Sequence, residues 1–300
     1  MLPSYISEIS LEELKERRDK LYELLEACRL CPNECYIDRR FEDKGNCRSG
    51  YLPIVSSYAP HYGEEPPLVG RFGSGTIFLT NCNLDCKFCQ NYDISHLGSG
   101  REVTIEQLAE MMLSLQKRGC HNINFVTPTH FAPQIVDALI IAREKGLEVP
   151  IVYNCGGYES VETLKLLEKI IDIYMPDIKY SSNENALKYS GISNYWDVVQ
   201  LAIKEMHRQV GDLKIGSGGI ARRGLLIRHL VMPNNVAGSK EVLKFIAQEI
   251  SKDSYINIMD QYRPVFLAYN YDEINRPITY KEYNEILNYA KSLGLYRGFE

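Results

Sequence analysis

Short apolar runs alternate with helical patterns along most of the chain. From Thr76 onward, six runs have the length of strands, and several are rich in Ile and Val. Between and after them lie segments whose capping residues and apolar spacing favour helices. We therefore predict a chain of repeated strand and helix units. The predicted strands are residues 76–80, 122–127, 150–153, 171–178, 225–232 and 255–259.

The predicted helices begin at capping signals. Thr104 with Gln107, and Thr279 with Glu282, have the spacing of a capping box, in which side chains satisfy free amides of the first turn. Such alternation implies a parallel sheet with right-handed crossovers, and six units are fewer than the eight of a closed barrel. The helices are predicted to start near Thr104, Pro133, Ser160, Asn194, Ser239 and Thr279.

The first seventy residues do not follow this alternation. Ser10 followed by Glu13 is a capping box, and the leucines behind it predict a helix. Residues 28–70 then contain Cys, Pro, Gly and Arg without a steady period, which is typical of a loop-rich segment that needs a metal or the main domain for order. We therefore divide the chain into an N-terminal helix and Cys-rich module, residues 1–70, and a main domain, residues 71–300.

Composition and charge argue against several classes of protein. With a net charge of -5, the surface has no overall basic field that would gather nucleic acid or anionic lipid. The first residues lack a basic region followed by an apolar run, and no apolar stretch has the length of a membrane span. We therefore expect a cytoplasmic protein without a nucleic-acid or membrane partner. Because the cytosol is reducing, the nine cysteines are expected to be metal ligands or thiols rather than disulfides.

Polar side chains gather where the predicted strands end. In parallel α/β folds, the loops that leave the carboxyl ends of the strands build the active site. Polar helix caps also occur at strand ends, but they explain single members of this set better than the whole set. The candidate residues at successive strand ends are Thr80, Asn81 and Cys82, then Thr127, Thr129 and His130, then Asn154, then Asp177 and Lys179, then Arg228 and His229, then Asp260 and Gln261.

Three cysteines directly after the first predicted strand have the spacing of a metal site. Cys82, Cys86 and Cys89 lie within the run NCNLDCKFCQN. Soft thiolates select zinc or iron–sulfur clusters. A structural zinc site takes four closed ligands, whereas three thiolates leave one iron of a cluster open. We therefore predict an iron–sulfur cluster whose open iron can bind a substrate.

Four more cysteines form a complete ligand set in the N-terminal module. Cys28, Cys31, Cys35 and Cys47 lie in CRLCPNECYIDRRFEDKGNC. Zinc and a second iron–sulfur cluster both accept four thiolates, and spacing does not separate them. Reduced thiols without a metal are the remaining alternative, but the segment has little apolar material to fold around. We favour an auxiliary [4Fe–4S] cluster over zinc.

The motif Cys82-x3-Cys86-x2-Cys89, with the aromatic Phe88 before the last cysteine, resembles the signature of the radical S-adenosylmethionine (SAM) superfamily. The resemblance covers roughly residues 76–259. The longer run GEEPPLVGRFGSGTIFLTNCNLDCKFCQNYDIS, with MPDIKY, RHLVMPN and IMDQYRP, is similar to the branch related to pyruvate formate-lyase activating enzyme. It implies a partial (β/α)6 TIM-like barrel in which a [4Fe–4S] cluster chelates SAM at its open iron. Reductive cleavage of SAM would then give a 5′-deoxyadenosyl radical that abstracts hydrogen from a substrate.

The same resemblance assigns cofactor-binding roles. The segment after the second strand should contact the SAM amino group, and the superfamily often has Gly-Gly-Glu there. This chain instead has Thr127, Pro128, Thr129 and His130. Carbonyls and hydroxyls can accept the hydrogen bonds of an ammonium group, so we expect this segment to bind SAM. Asn154, after the third strand, is also expected to point to SAM.

Charged residues after the fourth and fifth strands complete the predicted site. Asp177 and Lys179 match the Asp-x-Lys pair that borders SAM and substrate in activating enzymes, and they share a face if the strand conformation persists. We predict a catalytic role for this pair, against the alternative of a surface ion pair worth little. Arg228 and His229 are adjacent in a strand and point to opposite faces. We predict that Arg228 lines the interior and binds a carboxylate or ribose.

Three functions compete at this stage. The first is hydrogen abstraction from a protein glycine, which would activate a glycyl-radical enzyme and requires a protein substrate. The second is the same radical chemistry on a small molecule or another macromolecule, favoured by the Cys-rich module because simple activating enzymes can lack it. The third is a non-catalytic iron–sulfur or zinc protein, which predicts four ligands at both cysteine sites. The low potential that SAM cleavage needs implies a ferredoxin or flavodoxin as reductant.

Overall fold

The computed structural model describes residues 2–41 and 44–299, and in these residues nine strands form one sheet. Every residue of the strands β5 and β6 is buried, as expected for parallel strands that are covered on both faces. The strands are β1 Ile54–His61, β2 Ser74–Leu79, β3 Arg101–Glu102, β4 Ile123–Val126, β5 Ile151–Cys155, β6 Ile173–Pro176, β7 Lys214–Ile215, β8 Ala221–Leu230 and β9 Tyr255–Met259.

Six of the strands run parallel and follow one another in chain order. They are β2, β4, β5, β6, β8 and β9, each hydrogen-bonded to the next. The strand β1 joins the free side of β2 in the antiparallel sense, and β3 joins β1. Among the described strands, β9 pairs with β8 and the sheet does not close on itself. The prediction of a partial (β/α)6 barrel is therefore confirmed.

Helices return the chain from each parallel strand to the next. Two of them begin at the predicted capping boxes, in which Thr104 pairs with Gln107 and Thr279 pairs with Glu282. The short helix α8 had no counterpart in the sequence prediction. The helices are α1 Ser4–Ser7, α2 Leu11–Glu23, α3 Pro66–Val69, α4 Tyr92–Ser95, α5 Ile105–Lys117, α6 Ala132–Glu144, α7 Val161–Leu166, α8 Asn183–Ser190, α9 Tyr195–Val210, α10 Ser239–Phe245 and α11 Tyr280–Ser292.

The segment before β2 fills the interior of the barrel. Leu68, in α3, is fully buried and packs in one apolar cluster with interior residues that include Val152 of β5 and Leu226 of β8. The side-chain amide of Asn122, just before β4, donates to the Leu68 carbonyl at 2.9 Å. The helix α3 therefore closes the interior near the amino ends of the strands and leaves the carboxyl ends open for a site.

The N-terminal module packs on the outside and the rim of the barrel. Helix α2 lies against α6, and the Ser10 hydroxyl accepts from the Glu13 amide, which is one of the two hydrogen bonds of the predicted capping box. The first helix is tied to the barrel by Tyr5, whose hydroxyl donates to the Leu147 and Val149 carbonyls. Because β1 lies within residues 1–70, the sheet begins before the main domain that the sequence analysis delimited. Throughout the described ranges, every helix falls short of the length and apolarity needed to cross a bilayer.

Candidate functional site

A cavity of about 240 Å³ opens at the carboxyl ends of the parallel strands. It combines one loop of cysteines with polar side chains from five different strand ends. Apolar side chains, among them Phe78, Val126 and Met259, form the rest of its wall. The predicted site residues that line it are Cys82, Cys86, Cys89, Thr127, Asn154, Asp177, Lys179, Arg228 and Gln261.

The three cysteines lie on the loop that leaves β2. The amide of Leu84 donates to Cys82 Sγ at 3.4 Å, and the amide of Cys89 donates to the Cys86 carbonyl at 3.2 Å, which curls the loop into a tight turn. Cys86 is buried, whereas Cys82 and Cys89 are partly exposed. All three sulfur-bearing side chains therefore face the same cavity from one short segment.

This donor set fits a [4Fe–4S] cluster. Burial raises the pKa of the Cys86 thiol to about 11, so the thiolate forms readily only beside a positive charge such as bound iron. Among the residues that the structure describes, no group of three or more His, Cys, Asp or Glu side chains is placed to hold one metal ion. Three thiolates can hold an iron–sulfur cluster and leave one of its irons open.

Two hydroxyl groups approach the cysteine sulfurs. Ser190 Oγ lies 3.1 Å from Cys86 Sγ, and Ser95 Oγ lies 3.1 Å from Cys89 Sγ. Both serines are buried. The sequence analysis missed them because neither belongs to a motif. Their positions become apparent only once the loop is folded against α4 and α8.

Charged side chains at the ends of β6 and β8 form a connected network in the cavity. The Asp177 carboxylate accepts from Lys179 Nζ at 2.7 Å and from Arg228 Nε at 2.7 Å. Arg228 Nη2 also donates to Asn154 Oδ1 at 2.7 Å. Burial by itself would raise the pKa of Asp177, but Arg228 and Lys179 hold it below its ordinary value. The four predicted residues are thus brought together, with Asp177 ionised between two cations.

Adjacent residues of β8 point in opposite directions. Arg228 lies on the cavity wall. His229 is buried outside the barrel interior, where Nδ1 lies 2.7 Å from the Ile178 carbonyl and Nε2 lies 2.8 Å from Ser239 Oγ. Burial lowers the pKa of His229 to about 4, so the imidazole is neutral. The alternation of a strand accounts for this difference.

Two glutamates that the sequence analysis did not select lie behind Arg228. Glu64 Oε2 and Glu65 Oε1 are each 3.9 Å from Arg228 Nη1, and Asn257 Nδ2 donates to Glu65 Oε1 at 3.0 Å. Burial raises the pKa of Glu64 to about 7, although Arg228 opposes the shift. These glutamates precede α3 in an irregular segment, where the sequence offered no periodicity to place them in the barrel.

The segment after β4 is divided between the cavity and the packed interior. Thr127 lines the cavity with a φ of 59°, and its amide donates to the Asn154 carbonyl at 2.8 Å. Thr129 and His130 are not among the residues that line it. Thr129 Oγ1 donates to Glu159 at 2.7 Å, and His130 Nε2 lies 2.9 Å from the Thr80 carbonyl. A direct role of Thr129 and His130 in SAM binding stays a prediction.

The N-terminal cysteines lie on a neighbouring part of the rim. Cys28, Cys31 and Cys47 are buried, and Cys35 is partly exposed. The buried Arg39 lies beside them, with Nη1 3.9 Å from Cys28 Sγ and 2.8 Å from the His130 carbonyl. The module also contacts the first cysteine loop, because Asn33 Nδ2 donates to the Asn83 carbonyl at 2.8 Å. By donor type, four thiols in one small module suit zinc and a cluster alike, although no three of the described His, Cys, Asp or Glu side chains are placed to hold a single ion.

Comparison with known proteins relates the chain to one superfamily and to several relatives. The model of the Radical SAM superfamily matches residues 76–221. An uncharacterised protein of Methanocaldococcus jannaschii is 32% identical over 281 residues, which cover 89% of this chain and 75% of that protein. The pyruvate formate-lyase-activating enzyme of Clostridium pasteurianum is 27% identical over 133 residues, 41% of this chain and 53% of that enzyme. The chain thus matches about half the length of that activating enzyme.

A solved structure shows the same fold. The crystal structure of HydG, a maturase of the [FeFe]-hydrogenase, superposes with a TM-score of 0.54 at 14% identity. The match covers 97% of this chain and 64% of HydG, less than two thirds of that protein. At this identity the likeness concerns the fold alone.

Proposed function

The chain belongs to the radical SAM superfamily, and from this premise we propose that Cys82, Cys86 and Cys89 bind a [4Fe–4S] cluster with SAM beside it. The family implies both groups, and the observation that carries the assignment to residues is the cavity shared by the three cysteines and the charged network. When bound and reduced, the cluster supplies the electron that breaks a carbon–sulfur bond of SAM and releases a 5′-deoxyadenosyl radical.

We assign to the residues of the charged network the binding and orientation of SAM. Arg228 and Lys179 donate hydrogen bonds to the SAM carboxylate or ribose. Asp177 holds these two cationic side chains in place by accepting hydrogen bonds from them. Asn154 anchors the far side of the guanidinium group. The apolar wall excludes water, which matters because a primary carbon radical would attack nearly anything within reach. Asp177 and Lys179 therefore act at the border between SAM and substrate.

We propose a protein segment as the substrate, with hydrogen abstraction from a glycine of a glycyl-radical enzyme. The cavity of about 240 Å³ would have to hold both the cluster and SAM. With SAM in place, little room is left for a second whole molecule, which favours a substrate that presents one group from outside. The similarity to pyruvate formate-lyase-activating enzymes supports the same choice.

The second candidate is radical chemistry on a small molecule or another macromolecule. It is favoured by the N-terminal module, because its four cysteines supply a complete extra ligand set on the rim of the barrel. We propose an auxiliary [4Fe–4S] cluster there, with zinc as the alternative. We also propose a ferredoxin or flavodoxin as the electron donor.

The test of the proposed function is anaerobic reconstitution with iron and sulfide, followed by dithionite and SAM. We expect 5′-deoxyadenosine, measured by chromatography, from the wild-type protein and none from Cys82→Ala. Cys120→Ala is the matched control, because Cys120 is buried outside both cysteine sites. A wild-type protein with an intact cluster that forms no 5′-deoxyadenosine would favour a binding or electron-transfer role instead.

The two substrate classes are separated by a second assay. A peptide that spans the glycine loop of a glycyl-radical enzyme should raise 5′-deoxyadenosine formation and acquire a glycyl EPR signal. A peptide with alanine in place of that glycine is the control. Equal rates with both peptides and no radical signal would move the assignment to the second candidate.

A further inference from the structure

A buried hydroxyl reaches the middle cysteine of the loop from a distant part of the chain. Ser190 Oγ lies 3.1 Å from Cys86 Sγ, and the two residues are 104 positions apart. Ser190 is fully buried. A cysteine sulfur that binds iron has lost its proton, so Ser190 must be the donor of this pair.

A second hydroxyl fixes the direction of that donor. Tyr180 Oη lies 2.9 Å from Ser190 Oγ, and Tyr180 is also fully buried. Because the Ser190 proton points to sulfur, the Tyr180 hydroxyl donates to Ser190 Oγ. Burial raises the pKa of Tyr180 well above its ordinary value, so the phenol keeps its proton. The result is a chain of hydrogen bonds from Tyr180 through Ser190 to Cys86, which polarises each donor further.

The backbone holds this chain in place. Ser190 is the last residue of α8, and the carbonyls of Tyr189 and Ser190 accept from the amides of Lys87 and Asp85 on the cysteine loop at 2.8 and 3.1 Å. The helix and the loop are therefore joined on both sides of Cys86. These backbone bonds hold Ser190 beside the cysteine loop.

We propose that Ser190, oriented by Tyr180, is a positioning residue that raises the reduction potential of the cluster bound through Cys86. Reduction adds negative charge, part of which lies on the cysteine sulfurs, and a donor at sulfur stabilises the reduced cluster more than the oxidised one. The inference rests on the proposed function, because it presupposes a cluster at this loop. It assigns Ser190 to the electron-transfer step rather than to substrate binding.

The experiment is an anaerobic potentiometric titration followed by EPR on the full-length reconstituted protein. The cluster at Cys86 is identified by the change of its spectrum when SAM is added. In Ser190→Ala we expect the equilibrium constant for reduction to fall about tenfold, which for a one-electron couple is a downward shift of about 59 mV. Tyr180→Phe should shift the potential in the same direction by less. Iron content and SAM binding should match the wild type.

Ser254→Ala is the control, because Ser254 is a buried serine whose hydroxyl has no hydrogen-bond partner in the described part of the chain. It should leave the potential unchanged. Wild-type potential in both Ser190→Ala and Tyr180→Phe, with full iron content, would overturn the inference and leave the proposed function intact. A wild-type protein that binds no SAM-responsive cluster would instead overturn the proposed function.

Discussion

At the scale of single residues, the cavity holds charges that water screens poorly. Asp177 is the only described anion that accepts hydrogen bonds from both Lys179 and Arg228. The side chains of all three are less than one fifth exposed. Buried charges are tolerated when they are paired and are costly when a partner is removed.

We therefore expect Asp177→Asn to weaken both stability and chemistry. Two cations lose their common counter-ion, which should lower the free energy of unfolding by about 3 kcal/mol. Formation of 5′-deoxyadenosine should fall at least tenfold because Arg228 and Lys179 are no longer oriented. Urea unfolding and the SAM-cleavage assay measure the two effects. The exposed Asp253→Asn is the matched control, and equal behaviour of both variants would show that the network has no such role.

Acid should act on the protein partly through His229. The pKa of this buried imidazole is lowered to about 4 in the folded chain, against about 6.5 when unfolded. The unfolded chain therefore binds the extra proton first, and stability is lost as the pH falls from about 6.5 to 4. We expect this one group to account for about 3 kcal/mol over that window.

The variant His229→Gln should lack this part of the acid-induced loss of stability, because glutamine has no imidazole that can be protonated. Urea unfolding of wild type and variant at a series of pH values measures the difference, with the partly exposed His61→Gln as control. Parallel stability curves for wild type and His229→Gln would contradict the prediction. Burial raises the pKa values of the acids Glu64 and Glu159 to about 7, so these two groups increase stability as the pH falls. Their contribution is the same in the wild type and in both variants, and it cancels in the comparison.

At the scale of elements, the interior of the barrel depends on a segment outside the parallel strands. Leu68 of α3 is fully buried against residues of β5, β6 and β8. We expect Leu68→Ala to cost about 3 kcal/mol, because it leaves a cavity at the closed end of the barrel. Leu201→Ala, at an exposed position of α9, is the control and should change stability by less than about 0.5 kcal/mol. Similar urea midpoints for the two variants would refute this role of α3.

The elements differ in how far the sequence could predict them. Parallel strands such as β5 and β6 were predictable because they are buried on both faces and therefore read as continuous apolar runs, whereas β9 alternates between buried and partly buried positions. The strand β1 was missed because its centre is exposed and it contains Pro60, so it shows neither an apolar run nor a regular alternation. Helix α8 was missed because its eight residues carry a weak apolar pattern.

The site residues also divide into those that the sequence could predict and those that it could not. The cysteines and the residues at the strand ends were predictable, because short spacing and the geometry of parallel sheets are local rules. Glu64, Glu65 and Ser190 were not, because each reaches the site through tertiary packing from a segment without periodicity. The sequence could place Arg228 and His229 on opposite faces of a strand. The hydrogen-bond partners of the two residues could be identified only from the folded structure.

At the scale of the whole molecule, two cysteine sites share one rim. If both bind [4Fe–4S] clusters, Cys31→Ala should reduce the iron content of the reconstituted protein from roughly eight atoms per chain to roughly four. SAM cleavage should persist, because Cys31 is not on the loop that lines the cavity. Colorimetric iron analysis and the SAM-cleavage assay measure both effects. About four iron atoms per chain in the wild type, unchanged in Cys31→Ala, would exclude an auxiliary cluster and leave zinc to be sought by metal analysis.

The position of α3 inside the barrel also determines when its apolar side chains can be buried during synthesis on the ribosome. Leu68 is made 158 residues before Leu226, which belongs to the same apolar cluster. At about 5–20 residues per second, the earlier residue waits about 8–30 s for the later one. During that interval the nascent chain presents an apolar segment whose enclosure is incomplete. Faster synthesis should therefore shorten the period in which this protein is vulnerable to aggregation.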